Sequence, residues 1–193
     1  MRIIRLTLKS WNLGDRVKIV IDTNVLVQIM QNENAKDLAD PETGAVIEDG
    51  FRRAEALVER VETLKTVAVI PAPVLAEYLI GLEPGTYQEH LDIINGSAFI
   101  EVVSFDQASA IECAYLVNDQ ERKMMDPDAK QAKLKFDRQI LAIAIAVGAK
   151  ELWTHDKTLY RRAANSPVTP RSLADIGPQP EQMDFHADIQ PNE

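Results

Sequence analysis

Four acidic side chains are spaced along this chain so that they could act on one substrate: Asp22, Glu77, Asp137 and Asp156. Each stands at the end of a predicted strand or in a helix that adjoins one. Because the carboxyl ends of parallel strands meet at one edge of an α/β sheet, we expect these acids to converge there. Converging carboxylates repel one another unless cations neutralise them, and Mg²⁺ prefers oxygen ligands. Two such ions, about 3.5–4 Å apart, can activate water for phosphodiester hydrolysis.

Each acid also has an ordinary structural explanation when it is considered alone. Asp22 and Asp156 could cap the helices that follow them, and Glu77 could be a solvated helix residue. Asp137 could pair with Lys133 on the same helix face. The set is more informative than its members, since capping alone does not readily account for four acids at equivalent positions of one sheet.

The elements that must position these acids alternate between strands and helices, which favours a parallel sheet covered on both faces. Strands are predicted over 17–21, 66–70, 99–103 and 151–154, with a fifth at 168–169. Helices are predicted from residue 25, over 46–64, 74–81, 86–94 and 106–125, in a segment that ends at 147, and over 156–164. The run 140–147 is apolar on all sides and is therefore expected to be buried.

Length and composition favour one domain with extensions at both ends. We predict an N-terminal extension over 1–16, the domain over 17–169 and a proline-rich tail over 170–193. The net charge of −9 disfavours a general nucleic-acid-binding surface, but it is compatible with acids that hold cations. A single cysteine, the lack of a signal-peptide core and the lack of an apolar run of 18 residues predict a cytoplasmic protein without a membrane span.

Four segments around the acids resemble motifs of the PIN-domain family of metal-dependent ribonucleases. They are Val20–Leu26, Pro73–Tyr78, Phe136–Ala144 and Leu152–Asp156. Their order and the 19-residue step from Asp137 to Asp156 are also similar to that family. The resemblance covers residues 17–168.

This resemblance implies an α/β/α sandwich with a central parallel sheet in the strand order 3-2-1-4-5. It implies RNA hydrolysis that depends on Mg²⁺ or Mn²⁺, with two ions bound when the substrate is present. The catalytic, metal-binding residues would be Asp22, Glu77, Asp137 and Asp156, and Asn24 and Thr154 would orient them. Many stand-alone members are toxins of the VapC type, held inactive by a small antitoxin and often dimeric, which raises the question of an antitoxin partner and a homodimer here.

Basic residues close to Asp137 in the sequence are candidates for contacts with RNA phosphates. They are Lys133, Lys135 and Arg138. The simpler interpretation is a solvated helix face with ordinary ion pairs.

Other functions stay open on the sequence alone. A phosphatase of the haloacid-dehalogenase type also begins with an apolar strand that ends in Asp, but it needs a second Asp where this chain has Asn24. A catalytically inactive PIN-like module could bind RNA or a protein, although such a module has no need of four mutually repelling carboxylates. His155 is either a catalytic group or an incidental loop residue, and the second interpretation is the simpler one.

Overall fold

A computed structural model describes residues 16–31, 37–117 and 129–180, except for the side chains of 129–134. Its elements follow in the order β1 (Lys18–Ile21), α1 (Thr23–Gln31), β2 (Leu38–Ala39), β3 (Val46–Ile47), α2 (Gly50–Thr63), β4 (Val67–Pro71), α3 (Ala72–Ile80), α4 (Tyr87–Gly96), β5 (Ile100–Val103), α5 (Gln107–Tyr115), α6 (Ala129–Ala146), β6 (Glu151–Trp153), α7 (Lys157–Ala163) and β7 (Thr169–Arg171). Single 3-10 turns lie at Pro84–Thr86 and Leu173–Asp175.

The central sheet has five strands in the spatial order β5-β4-β1-β6-β7. Every neighbouring pair is parallel, so all carboxyl ends lie along one edge. Counted along the chain, these strands are the third, second, first, fourth and fifth of the sheet. The predicted parallel α/β fold and its order 3-2-1-4-5 are therefore confirmed, and β1 occupies the middle of the sheet.

The inner strands β1, β4 and β6 and the helix α6 supply much of the core, because most of their apolar residues are buried. All five residues of β4 are buried. In α6 the consecutive residues from Ile140 to Ala144 are at most 3% exposed. The predicted burial of the run 140–147 is therefore confirmed for 140–144, whereas 145–147 are only half-buried. β4 passes into α3 without a loop, since Pro71 is extended and Pro73 lies in the first helical turn, where no main-chain donor is required.

A short antiparallel hairpin, β2–β3, lies where the sequence predicts a loop followed by the start of a helix at residue 46. That prediction is wrong for the first turn of the helix. Asp40 organises the connection, because its carboxylate accepts hydrogen bonds from the main chain of Glu42 and Thr43. Asp49 then adopts a left-handed conformation with φ of 56°, and α2 begins only after it.

The packed part of the chain continues past residue 169, where the sequence places the end of the domain. β7 extends to Arg171, and Leu173 is fully buried in the core. Arg53 of α2 donates hydrogen bonds to the carbonyl oxygens of Leu173 and Ile176, at 3.2 and 2.6 Å. Residues 170–176 are thus held by the domain and do not belong to a tail.

Some predictions fall outside the described residues. They are the N-terminal extension up to residue 15, residues 118–125 of the helix predicted over 106–125, and the end of the tail from residue 181. Within the described residues that helix, α5, already ends at Tyr115. Within the described ranges, no helix is both long enough and apolar enough to cross a membrane.

A polar network at the amino end of β6 joins this strand to α2. The Glu151 carboxylate accepts two hydrogen bonds from the Arg60 guanidinium, at 2.9 and 3.0 Å, and one from the Trp153 indole at 2.9 Å. Burial alone would raise the pKa of Glu151, but the hydrogen bonds from Arg60 and Trp153 and the nearby positive charges lower it below its ordinary value.

Replacing Arg60 by Met is expected to destabilise the protein by about 2 kcal/mol, because Glu151 would keep its burial and lose both guanidinium bonds. Arg60→Lys keeps the charge but not the paired geometry, so it should lose about 1 kcal/mol. Urea unfolding at pH 7 measures both variants. A Met variant as stable as the wild type would show that the network does not stabilise the fold.

Candidate metal and nucleic-acid site

Asp22 lies at the middle of the carboxyl edge of the sheet. It directly follows β1, its main-chain N–H donates to the Trp153 carbonyl at 3.0 Å, and its side chain is 5% exposed. Its Oδ1 accepts the main-chain N–H of Thr23 at 2.8 Å. Its Oδ2 accepts the Asn24 amide at 2.9 Å and the Thr154 hydroxyl at 2.6 Å. The carboxylate is thereby held from both β1 and β6.

The electrostatics of Asp22 link it to two of the other acids. Burial raises its pKa from 3.8 to about 6, against the hydrogen bonds from Thr154 and Thr23, and the negative charges of Glu77 and Asp156 act in the same direction as burial. An ionised Asp22 is therefore unfavourable for the fold by itself. A cation beside it would relieve both the burial and the repulsion.

Glu77 and Asp156 reach this edge from two different helices. Glu77 is an exposed residue of α3, and its Oε2 accepts the Thr23 hydroxyl at 2.5 Å. Asp156 caps α7, since its Oδ1 accepts the main-chain N–H groups of Thr158 and Leu159 at 2.7 and 2.9 Å. The capping explanation is thus correct for Asp156, but capping does not prevent its charge from acting on Asp22.

Asn24 and Thr154 connect the segments that follow β1 and β6. Each donates to Asp22, as described above. Asn24 also accepts the main-chain N–H of His155 at 3.0 Å, and the Thr154 hydroxyl accepts that of Asp156 at 3.0 Å. The two segments therefore form one hydrogen-bonded unit around the Asp22 carboxylate.

Asp137 is buried on α6, at 6% exposure, beside the exposed Lys135 and the half-buried Arg138. Its helix packs against α3, which carries Glu77, and against α7, which Asp156 caps. The side chain of Lys133 lies outside the described residues, so the suggested pair between Lys133 and Asp137 stays a prediction.

The family described as PIN domain matches residues 19–165, a span that contains all four acids. The chain belongs to the PIN-domain family. This membership decides against the haloacid-dehalogenase alternative. Comparison with the curated proteins finds no match.

Solved structures similar to this PIN domain include VapBC2 from Rickettsia felis bound to a DNA fragment from their promoter, with a TM-score of 0.53 and 18% identity over 81% of this chain and 98% of that chain. DNA-bound VapBC from Salmonella typhimurium has a TM-score of 0.51 and 18% identity over 81% and 98%. VapBC-1 from nontypeable Haemophilus influenzae has a TM-score of 0.51 and 15% identity over 82% and 99%. At these identities the likeness concerns the fold.

The four acids of the PIN domain suit a hard divalent ion as ligands, because such ions prefer carboxylate oxygens. One of them, Asp22, is buried and is repelled by the charges of Glu77 and Asp156. The set is not a preformed cage. Among the residues that the structure describes, no group of three or more His, Cys, Asp or Glu side chains is arranged to hold a metal ion. Glu77 and Asp156 instead satisfy hydrogen-bond donors of their own, as expected of carboxylates that repel one another.

His155 has a structural function in this PIN domain. Its Nδ1–H donates to the Ala39 carbonyl at 2.9 Å, and its Nε2 accepts the main-chain N–H of Leu173 at 3.1 Å. These bonds select the neutral ring with its proton on Nδ1, and burial lowers the pKa of the ring. Because both nitrogens are engaged, His155 ties the β2–β3 hairpin and the 3-10 turn at Leu173–Asp175 to the site instead of transferring protons.

Two residues of the site have roles that the sequence does not reveal: Thr23 is not singled out at all, and His155 is expected to be either a catalytic group or an incidental loop residue. Thr23 contacts Glu77, which is 54 residues away, and His155 contacts main-chain atoms of two distant segments. Neither interaction produces a periodicity or a local motif. The one available signal is that both residues are adjacent to a predicted acid.

Proposed function

We propose that this PIN domain hydrolyses RNA phosphodiester bonds with bound Mg²⁺ or Mn²⁺. The observation that carries the proposal is Asp22, a buried carboxylate at the middle of the sheet edge whose pKa is raised to about 6 by burial and by the charges of Glu77 and Asp156. A protein rarely retains such an acid without a use for it, and perturbed acids cluster at functional sites. Membership in the PIN-domain family supports the same chemistry.

The residues proposed to hold the ions are Asp22, Glu77, Asp137 and Asp156. When bound, the ions would supply an activated water and offset charge on the phosphate. The chain itself contributes orientation: Asn24 and Thr154 hold Oδ2 of Asp22, and the helix cap restrains Asp156. The catalytic role of the acids therefore depends on hydrogen bonds that limit how far each carboxylate can turn.

The proposed RNA contacts lie on α6. Lys135 is exposed, Arg138 is half-buried, and both flank Asp137 in the sequence. Positive charges there would attract phosphates to a protein whose net charge is −9. Lys133 belongs to the same proposed set.

We propose a small antitoxin as the partner of this chain and a homodimer as its assembly. The support for the antitoxin is that the similar solved structures are of VapBC, two of them bound to DNA. The homodimer is proposed only from the resemblance to VapC-type members of the family. A small protein encoded beside this gene, which copurifies with the chain and blocks its RNA cleavage, would establish the pairing.

The test of the activity is cleavage of an end-labelled RNA pool by the full chain. We expect cleavage with Mg²⁺ or Mn²⁺, loss of cleavage in EDTA and recovery when Mn²⁺ is added in excess. Glu77→Gln and Asp137→Asn should each lower the rate by about 100-fold or more. Glu55→Gln removes the same charge from an exposed position of α2 and should leave the rate unchanged.

Two outcomes would contradict the proposal. Cleavage that survives EDTA, or that survives both acid variants, would exclude a metal mechanism at these residues. RNA binding without cleavage in any metal would favour the inactive PIN-like module instead.

A further inference from the structure

Thr23 is bonded to two of the acids at once. It is the first residue of α1, and its main-chain N–H donates to Asp22 Oδ1 at 2.8 Å. Its hydroxyl donates to Glu77 Oε2 at 2.5 Å. A hydroxyl has a single proton, so this donation is committed to Glu77. One residue therefore links the acid that follows β1 to the acid carried by α3.

Glu77 needs such a link more than Asp22 does. Asp22 is buried and held by three donors, whereas Glu77 is an exposed side chain with three rotatable bonds. The two carboxylates repel each other, as the raised pKa of Asp22 indicates. Repulsion and rotamer entropy both favour turning Glu77 away into solvent. The bond from Thr23 opposes both effects and keeps Glu77 directed toward Asp22.

We propose that Thr23 is the positioning residue that sets Glu77 against Asp22 and so determines how tightly the site binds a divalent cation. The inference rests on the proposed metal-dependent function. Thr23 itself need not touch the cation, because its effect passes through the orientation of Glu77. Its main-chain donation to Asp22 does not depend on the side chain, so a substitution at Thr23 changes only the Glu77 half of the link.

The experiment measures Mn²⁺ binding to the full chain by titration calorimetry at pH 7 without RNA. Thr23→Val keeps the shape and removes the hydroxyl, so the Kd for Mn²⁺ should rise about tenfold. Thr23→Ser keeps the hydroxyl, and its Kd should stay within about twofold of the wild type. In a Glu77→Gln background, adding Thr23→Val should change the Kd no further, since the neutral amide contributes little to cation binding and its orientation then no longer matters.

A purely structural role for Thr23 predicts a different pattern. It would lower the unfolding temperature in EDTA for Thr23→Val, and its effect on the Kd would be the same with or without Glu77→Gln. If Thr23→Val fails to fold, Thr23→Ala provides the same comparison with a smaller side chain.

The possible results separate this inference from the proposed function. Wild-type protein that binds Mn²⁺, together with a Thr23→Val variant that binds it equally well, would overturn the role of Thr23 and leave the metal site intact. Equal effects of Thr23→Val in both backgrounds would overturn it as well. Wild-type protein that binds neither Mn²⁺ nor Mg²⁺ would overturn the metal site, and the role of Thr23 with it.

Discussion

Replacing Asp22 by Asn is expected to slow RNA cleavage by about 1,000-fold and at the same time to stabilise the metal-free protein by about 1 kcal/mol. Activity falls because an amide cannot balance the charge of the ions that the site is proposed to hold. Stability rises because the amide removes a buried charge that Glu77 and Asp156 repel. The gain is limited, since both carboxylate oxygens accept hydrogen bonds, from Thr23 on one side and from Asn24 and Thr154 on the other, so the new NH₂ group faces a donor in either orientation.

Initial cleavage rates and urea unfolding in EDTA test the two halves of this prediction separately. Asp92→Asn is the matched control, because it makes the same change at an exposed position of α4. It should alter stability by less than about 0.5 kcal/mol and leave the rate as it is. An Asp22→Asn variant that is both inactive and clearly less stable would indicate that Asp22 serves mainly to hold the fold together.

The stability of the metal-free protein should depend on pH through the same residue. The pKa of Asp22 is about 6 in the folded protein and 3.8 in its ordinary state, so the folded form binds this proton more tightly. The favourable contribution of Asp22 to the free energy of unfolding is therefore complete below about pH 4 and is lost as the pH rises through about 6. The change amounts to about 3 kcal/mol. Acids with a lowered pKa, such as Glu151, act in the opposite direction.

The difference in the free energy of unfolding between wild type and Asp22→Asn isolates the pH dependence due to Asp22, because the other acids are common to both proteins. Urea unfolding in EDTA between pH 4 and 7 should show the wild type losing stability relative to the variant as the pH rises. Mn²⁺ should then stabilise the wild type more at pH 7 than at pH 5, since protons compete with the cation for Asp22. A difference that does not change with pH would show that the Asp22 carboxyl is not perturbed by burial.

Sequence patterns predict the sheet well because a strand that is buried on both faces is a short, continuous apolar run. An amphipathic helix instead has apolar residues only at every third or fourth position. The strands ending at Asp22 and near Asp156 are recognisable for that reason, and the parallel order places both acids on one edge. The β2–β3 hairpin is missed because its connection depends on hydrogen bonds that the main chain donates to the Asp40 carboxylate, in a segment without periodicity. The start of α2 is missed because it depends on the left-handed backbone of Asp49.

The acids of the candidate site can be predicted from the sequence, but the hydrogen bonds that restrain them mostly cannot. Asp22 and Asp156 follow from their position after strands, while Glu77 resembles an ordinary exposed helix residue until its bond to Thr23 is known. Interactions of this kind join residues that are distant in the chain, so they depend on the tertiary arrangement alone. That is also why His155 gives no signal of its two main-chain partners.

The contacts of His155 and Arg53 also bear on where this protein can be shortened. The family match ends at residue 165, but the imidazole accepts its hydrogen bond from Leu173, and the guanidinium holds the chain as far as Ile176. A protein cut at the family boundary would lose the hydrogen bond to Nε2 of His155 and the bonds from Nη1 of Arg53 to the carbonyl oxygens of Leu173 and Ile176. It would also open the core where Leu173 is buried. We therefore expect the smallest independently folding piece of this chain to be longer than the segment by which its family is recognised.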